Sequence, residues 1–199
     1  MNKLRKHLLL GMIALGVMTF ASCSKEDPVP EKDQEEVGKT ILLLQEVDWH
    51  GDFRTGHADA IANAPIDTIQ FDEKGNAPVG FHLHLHTGHS YKMTLVARDY
   101  AGREIQQTFL ERADIHQAVI LGAPAGAIDY TYGDEQVGVT GYLHIVKSAS
   151  TFTLQYLMRH LNPGVKAGVT ADDWNNADYQ QKLAGATDLD LKFELHPVD

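Results

Sequence analysis

Cysteine is nearly absent from this chain: there is one, Cys23, in 199 residues. No intrachain disulfide can form, so a folded domain must rely on its apolar core. Basic residues are also scarce, with 17 Lys and Arg against 27 Asp and Glu. The net charge is −10 at pH 7 with histidine neutral. That balance argues against nucleic-acid binding and against electrostatic adhesion to anionic lipid, and it makes cations the natural partners. Aromatic residues make up only 8% of the chain, too few for the apolar cleft that a large planar ligand would want. A nucleophile elbow, a phosphate loop and a paired-carboxylate constellation are all missing, so catalysis is not expected.

The N-terminus reads as a targeting segment. Lys3, Arg5 and Lys6 precede the apolar run Leu8 to Phe20, which is too short and too weakly flanked to span a bilayer. Phe20-Ala21-Ser22-Cys23 then resembles a bacterial lipobox, in which the cysteine is lipidated and becomes the first residue of the mature chain. An ordinary secretory peptide is the plainer alternative, but it would strand one unpaired thiol in a secreted protein. The expected organisation is a lipoprotein signal peptide over 1–22, a lipidated tether over 23–38 and one domain over 39–199. The leader takes three of the 17 basic residues and no acidic one, leaving 14 against 27 and a net charge of −13. Ser24 to Gly38 holds six acids, two lysines and two prolines, the composition of a solvated, partly extended linker. Ser24-Lys25-Glu26-Asp27 is similar to the export signal of Bacteroidota surface lipoproteins. That likeness implies an outer-membrane, lipid-anchored and cell-surface location, against a periplasm-facing one.

From Lys39 the chain reads as short strands separated by turns, the pattern of an all-β, antiparallel β-sandwich of immunoglobulin-like or jelly-roll-like kind. Thr40 to Val47, Gly80 to His86, Tyr91 to Arg98, Glu104 to Leu110, His116 to Leu121, Ile128 to Tyr132, Val137 to Val146 and Thr151 to His160 are the expected strands. Leu189, Leu191, Phe193 and Leu195 alternate in a last one. Thr87-Gly88 predicts a hairpin turn between the second and third. One short helix is expected near the C-terminus, opened by a capping box at Thr170-Ala171-Asp172-Asp173 and running from Trp174 to Leu183.

Several segments resemble a poorly characterised group of small Bacteroidota lipoproteins. They are Glu111 to Gln117, Tyr130 to Asp134, Val137 to Gly141, Phe152 to His160 with Asn162-Pro163-Gly164, and Asp188 to Phe193, within residues 85–196. Members are often associated with TonB-dependent outer-membrane receptors. The resemblance implies a role near metal or cofactor uptake, a possible TonB-dependent receptor as partner, and no catalytic activity.

The most informative stretch is Gly80-Phe81-His82-Leu83-His84-Leu85-His86-Thr87-Gly88-His89. On a strand, Phe81, Leu83 and Leu85 share one face and His82, His84 and His86 the other. Neighbours two apart stand about 6.6 Å apart at Cα, a gap two imidazoles can close on one ion, whereas residues four apart cannot. His84 and His86, with His89 folding back from the turn, are therefore the expected metal ligands, and His82 is a spare or the start of a second site. A second cluster, Asp48, His50 and Asp52 with His57 and Asp59, sets imidazoles beside carboxylates, although a polar hairpin loop is the better explanation of it. His116 and His160 are lower-ranking candidates. His160 shares its face with Phe152, Leu154, Tyr156 and Met158, which suggests a satisfied, partly buried ring. His144 and His196 carry little signal.

Zinc is the expected ion, with copper next; no methionine or cysteine cluster points to Cu(I). Gly80 to His84 resembles the metal strand of copper-zinc superoxide dismutases, but the disulfide and the further loop histidines of that family are missing. A cupin would need a glutamate where Ser90 and Tyr91 stand. An α-carbonic anhydrase would need a third histidine where Tyr91, Met93 and Leu95 stand. Haem capture ahead of a TonB-dependent receptor is the alternative, using His57 or His116 opposite a strand histidine. The barest alternative is a surface interaction module that holds no ion.

Overall fold

Thr40, Leu42 and Leu44 are buried while their neighbours Ile41, Leu43 and Gln45 are half-buried, and this period of two builds the first strand. It belongs to a computed structural model that describes residues 37–199. The signal peptide, Cys23 and nearly all of the tether lie outside the described residues. Among the described residues ten strands form two sheets: β1 (Lys39–His50), β2 (His57–Ala60), β3 (Ile66–Gln70), β4 (His82–His86), β5 (Ser90–Arg98), β6 (His116–Leu121), β7 (Ile128–Tyr132), β8 (Thr140–Ile145), β9 (Phe152–Leu161) and β10 (Gly185–Val198).

The first sheet runs β2-β1-β5-β8-β7, with β3 sharing the β2 side of the long β1. The second runs β4-β10-β9-β6. Leu42, Leu44, Met93 and Leu95 from the first meet Leu85, Ile120, Tyr156, Met158 and Phe193 from the second in one buried cluster. The all-β sandwich is therefore the observed architecture. β9 is buried on both faces, because Leu157 and Leu161 pack outward with Val119, Val169 and Leu183 beneath the 162–184 segment.

Four local expectations need correcting. β4 and β5 do not form a hairpin, because they lie in different sheets. Gly88, at φ 82°, carries the chain across the gap. Thr87 N–H donates to the Val198 carbonyl at the end of the second sheet and Gly88 N–H to Ile145 in the first, both at 2.7 Å. Strand β4 pairs instead with β10, in parallel, so the sandwich is not wholly antiparallel.

Glu104 to Leu110 is not a strand but contains helix α1 (Gln106–Glu111). Ile105 and Phe109 are four apart, a helical spacing, and the turn seats Phe109 wholly inside the core. β2 and β3 were not foreseen, since His57–Ala60 and Ile66–Gln70 are mostly exposed edges with weak alternation. Finally, the C-terminal helix is split. Thr170 N–H donates to the Asp173 carboxylate at 2.8 Å as a capping box should, but it opens a 3-10 turn, Ala171–Asn175, before the separate α2 (Tyr179–Lys182).

Candidate metal centre

Antiparallel pairing of β6 with β9 places His116 directly opposite His160. Both lie on the inner face, in step with the core residues Ala118 and Ile120 on β6 and Tyr156 and Met158 on β9. The third member comes from a β-bulge. Thr187 pairs with Arg159 and Leu189 with Met158, so Asp188 is an extra residue on β10 with no partner of its own. A bulge re-aims the side chain it carries. Here the Asp188 carboxylate turns toward the two imidazoles, its Oδ2 lying 3.3 Å from His116 Nε2 and 3.4 Å from His160 Nδ1. The rings meet edge to face with centroids 4.8 Å apart.

The protons make this cluster informative. His116 Nδ1 lies 3.0 Å from the Arg112 carbonyl, which only accepts, so Nδ1 carries the hydrogen. In the neutral ring, Nε2 is then a bare lone pair aimed at a carboxylate oxygen. Neither His116 Nε2 nor Asp188 Oδ2 has a hydrogen-bond partner, and both are buried. The His116 side chain is 0% exposed, Asp188 2% and His160 22%. With the ring neutral, two acceptors face each other in the interior, an arrangement that costs free energy unless something positive lies between them.

His116, His160 and Asp188 could hold a metal ion, each offering one ligand atom, with all three atoms within 4.8 Å of one another. They form the one such group of three or more His, Cys, Asp or Glu among the described residues. Ligands on a tetrahedral ion at about 2.0–2.1 Å stand roughly 3.3 Å from each other, which is the spacing of both histidine–carboxylate contacts. The Arg112 carbonyl plays the outer part, fixing the tautomer and orientation of His116. The Phe109 ring, edge-on to His116 with centroids 5.1 Å apart, closes the apolar side.

The surroundings hold the bulge in place. The buried Arg159 guanidinium donates to the Leu183 carbonyl at 3.1 Å and the Gly185 carbonyl at 2.8 Å, and also to Thr187 Oγ1. That ties β9 to the chain leading into Asp188. Burial lowers the pKa of this guanidinium. Lys166 Nζ donates to the carbonyls of His116 and Gln136 at 2.6 and 2.7 Å, and burial pulls it down to about 8 despite Asp134 and Asp114. Asp188 also lies in the wall of a cleft of ≈370 Å³ shared with Thr40, Asp72, Lys74, Tyr179 and Asp190.

The expected strand site is arranged differently from the reading of 84, 86 and 89 as one trio. His82, His84 and His86 are exposed on one side of β4, with Leu83 and Leu85 buried on the other, as the alternation implied. However, each imidazole has a separate neighbour. His82 Nδ1 sits 2.6 Å from Glu194 Oε2. His84 faces His196, with centroids 5.2 Å apart. His86 lies near His89 at 5.6 Å, while His89 Nδ1 is 2.7 Å from Glu46 Oε1.

In the second cluster, Asp48, His50, His57 and Asp59 stand on the paired strands β1 and β2 rather than on a loop. His50 Nε2 lies 3.4 Å from both Asp48 and Asp59. Its ring is 5.3 Å from that of His57, and Asp52 caps the turn by accepting from Arg54 N–H at 2.8 Å.

The structure brings His116 and His160, the lower-ranking candidates, together with Asp188 in the one such group among the described residues. The strand positions of the two histidines are readable from sequence, but only one at a time. Asp188 was missed, because alternation puts it on the outer face with Asp190 and only the bulge redirects it. His144 is a packed core histidine, stacked on Phe53 at 4.1 Å. Thr131 Oγ1 donates to the Phe53 carbonyl, so His144 Nε2–H donates to Thr131, and Ser90 donates to Nδ1 at 2.8 Å. Burial drives this ring down to about 4. No family model matches the chain, and neither a curated protein nor a solved structure matches it significantly.

Proposed function

We propose that this protein is a lipid-anchored outer-membrane lipoprotein that holds a divalent transition metal, zinc first and copper next, as an accessory to uptake or sequestration. The observation that carries the reading is the buried pair of facing acceptors, His116 Nε2 and Asp188 Oδ2, with His160 Nδ1 completing a three-atom nest. Two imidazoles and one carboxylate suit zinc, with a fourth position left for water or an incoming ligand. Enclosure favours holding an ion over turning over a substrate, since only His160 opens appreciably to solvent. The lipobox-like run ending at Cys23 and the acidic tether support display at a membrane surface, and the net negative charge suits a cation-handling partner of a TonB-dependent receptor. Haem fits less well at this cluster, because the His116 and His160 rings, 4.8 Å apart, leave no room for a macrocycle between them.

A proton on His116 Nε2 would also satisfy the facing pair, as a buried ion pair with Asp188. Calorimetric titration of the untagged chain with Zn²⁺ separates the two readings. The metal site requires a tight class of one equivalent that Asp188→Asn and His160→Ala each remove. Because imidazole and carboxylate ligands must be deprotonated, that class weakens as pH falls from 7.5 to 5.5. A parent chain that binds no zinc at the interior ligands would leave only the ion pair.

A further inference from the structure

The outer face of the second sheet carries a histidine array that the interior cluster does not use. Parallel pairing sets Glu194 beside His82 and His196 beside His84. β4 is the outermost strand of its sheet, and His82, His84 and His86 are all exposed along it. One of these imidazoles stands beside a carboxylate, His82 by Glu194, while His86 neighbours the ring of His89, which is itself beside Glu46. His84 and His196, between them, present their rings to each other at 86° with centroids 5.2 Å apart. Two imidazoles bound to one tetrahedral ion at about 2.0–2.1 Å place their ring centres roughly 5 Å apart. The pair is thus spaced for a shared ion without movement of either strand.

We propose that His84 and His196 form the core of a second, exposed site for a divalent transition metal, distinct from the interior cluster. His82 and His86 stand about 6.6 Å to either side along β4, close enough to supply a further imidazole by rotamer change. An all-imidazole surface site of this kind prefers Cu²⁺ over Zn²⁺ by the usual order of stability, and exchanges its ion readily with water. Its separation from the interior site follows from β10 itself. Asp188 and His196 are eight residues apart on one strand, a span of about 26 Å, so the two cannot share an ion. The inference does not depend on the interior cluster binding metal. It pairs His84 with a residue at the far end of the chain rather than with its neighbour on the same strand.

Titration of the untagged chain with Cu²⁺ and with Zn²⁺, followed by calorimetry and by copper electron paramagnetic resonance, tests it. The proposal expects a weaker, fast-exchanging class whose copper spectrum shows imidazole nitrogen coupling. His84→Ala with His196→Ala abolishes that class, and each single variant weakens it at least tenfold. Melting temperature in the presence of chelator stays close to the parental value, because His84 is exposed and His196 is only half-buried. The class persists in His160→Ala, which reports separately on the interior site. A double variant that binds with parental stoichiometry and affinity overturns the proposal. So does loss of the weaker class in His160→Ala.

Discussion

A neutral His116 cannot serve two acceptors with one hydrogen. Its Nδ1–H is committed to the Arg112 carbonyl, which leaves Nε2 opposed to Asp188 Oδ2. Asp188→Asn keeps the shape but replaces half of the carboxylate with an amide that can donate to Nε2. The substitution should therefore abolish tight zinc binding while stabilising the metal-free protein by about 1 kcal/mol or more. Thermal melts in chelator and in zinc check both signs at once.

His144 gives a pH signature. Its folded pKa, near 4, lies below the ordinary histidine value of 6.5 because burial opposes the charged ring. The stability it contributes is complete above 6.5, and it drains away as the pH falls toward 4 while the unfolded chain takes up the proton first. The loss is at most roughly 3 kcal/mol. His144→Gln should flatten this part of the stability profile, measured by denaturant unfolding between pH 4 and 7. Gly141 is a steric counterpart, since a Cβ there would meet the Tyr130 ring. Gly141→Ala should cost about 1–3 kcal/mol, read as a lower melting temperature.

At the level of elements, the bulge on β10 is the feature on which the site turns. Arg159 holds it by donating to the Leu183 and Gly185 carbonyls just ahead of Asp188. Arg159→Met strands the buried Leu183 carbonyl and loosens the bulge. Unfolding should become easier by about 2–3 kcal/mol, and zinc affinity should fall by the roughly 10–100-fold typical of outer supports. Denaturant unfolding and the calorimetric affinity give the two readings.

Elements were legible wherever local pattern alone decides them. β6 and β7 carry the expected bounds, and the alternation of His82, His84 and His86 against Leu83 and Leu85 is the observed burial of β4. What could not be read is what depends on distant chain. Thr87-Gly88 has the composition of a hairpin turn, yet its amides bond to Val198 and Ile145 in opposite sheets. Sequence pairs His84 with His86 because spacing along a strand is visible in it, whereas the register that brings up His196 is not. The bulge at Asp188 is likewise a property of β9 and β10 together. Ile105 and Phe109 could have signalled α1 by their spacing, but the run was too short for that period to stand out from an alternating one.

On the scale of the whole molecule, the proposed reading gives the acidic domain two places for a cation at opposite ends of β10, one enclosed and one exposed. An ion that binds only the folded state stabilises it by mass action, by about 2.7 kcal/mol at a hundred times the dissociation constant. Zinc should accordingly raise the melting temperature of His84→Ala/His196→Ala, in which only the enclosed site remains. The measurement that bears most directly on the account is the zinc X-ray absorption spectrum of that double variant, untagged, zinc-loaded and dialysed. The account predicts one zinc per chain, coordinated by two imidazoles and a carboxylate oxygen at about 2.0–2.1 Å, and none once Asp188→Asn is added. A double variant that emerges from dialysis without zinc, or whose spectrum is unchanged by Asp188→Asn, would contradict it.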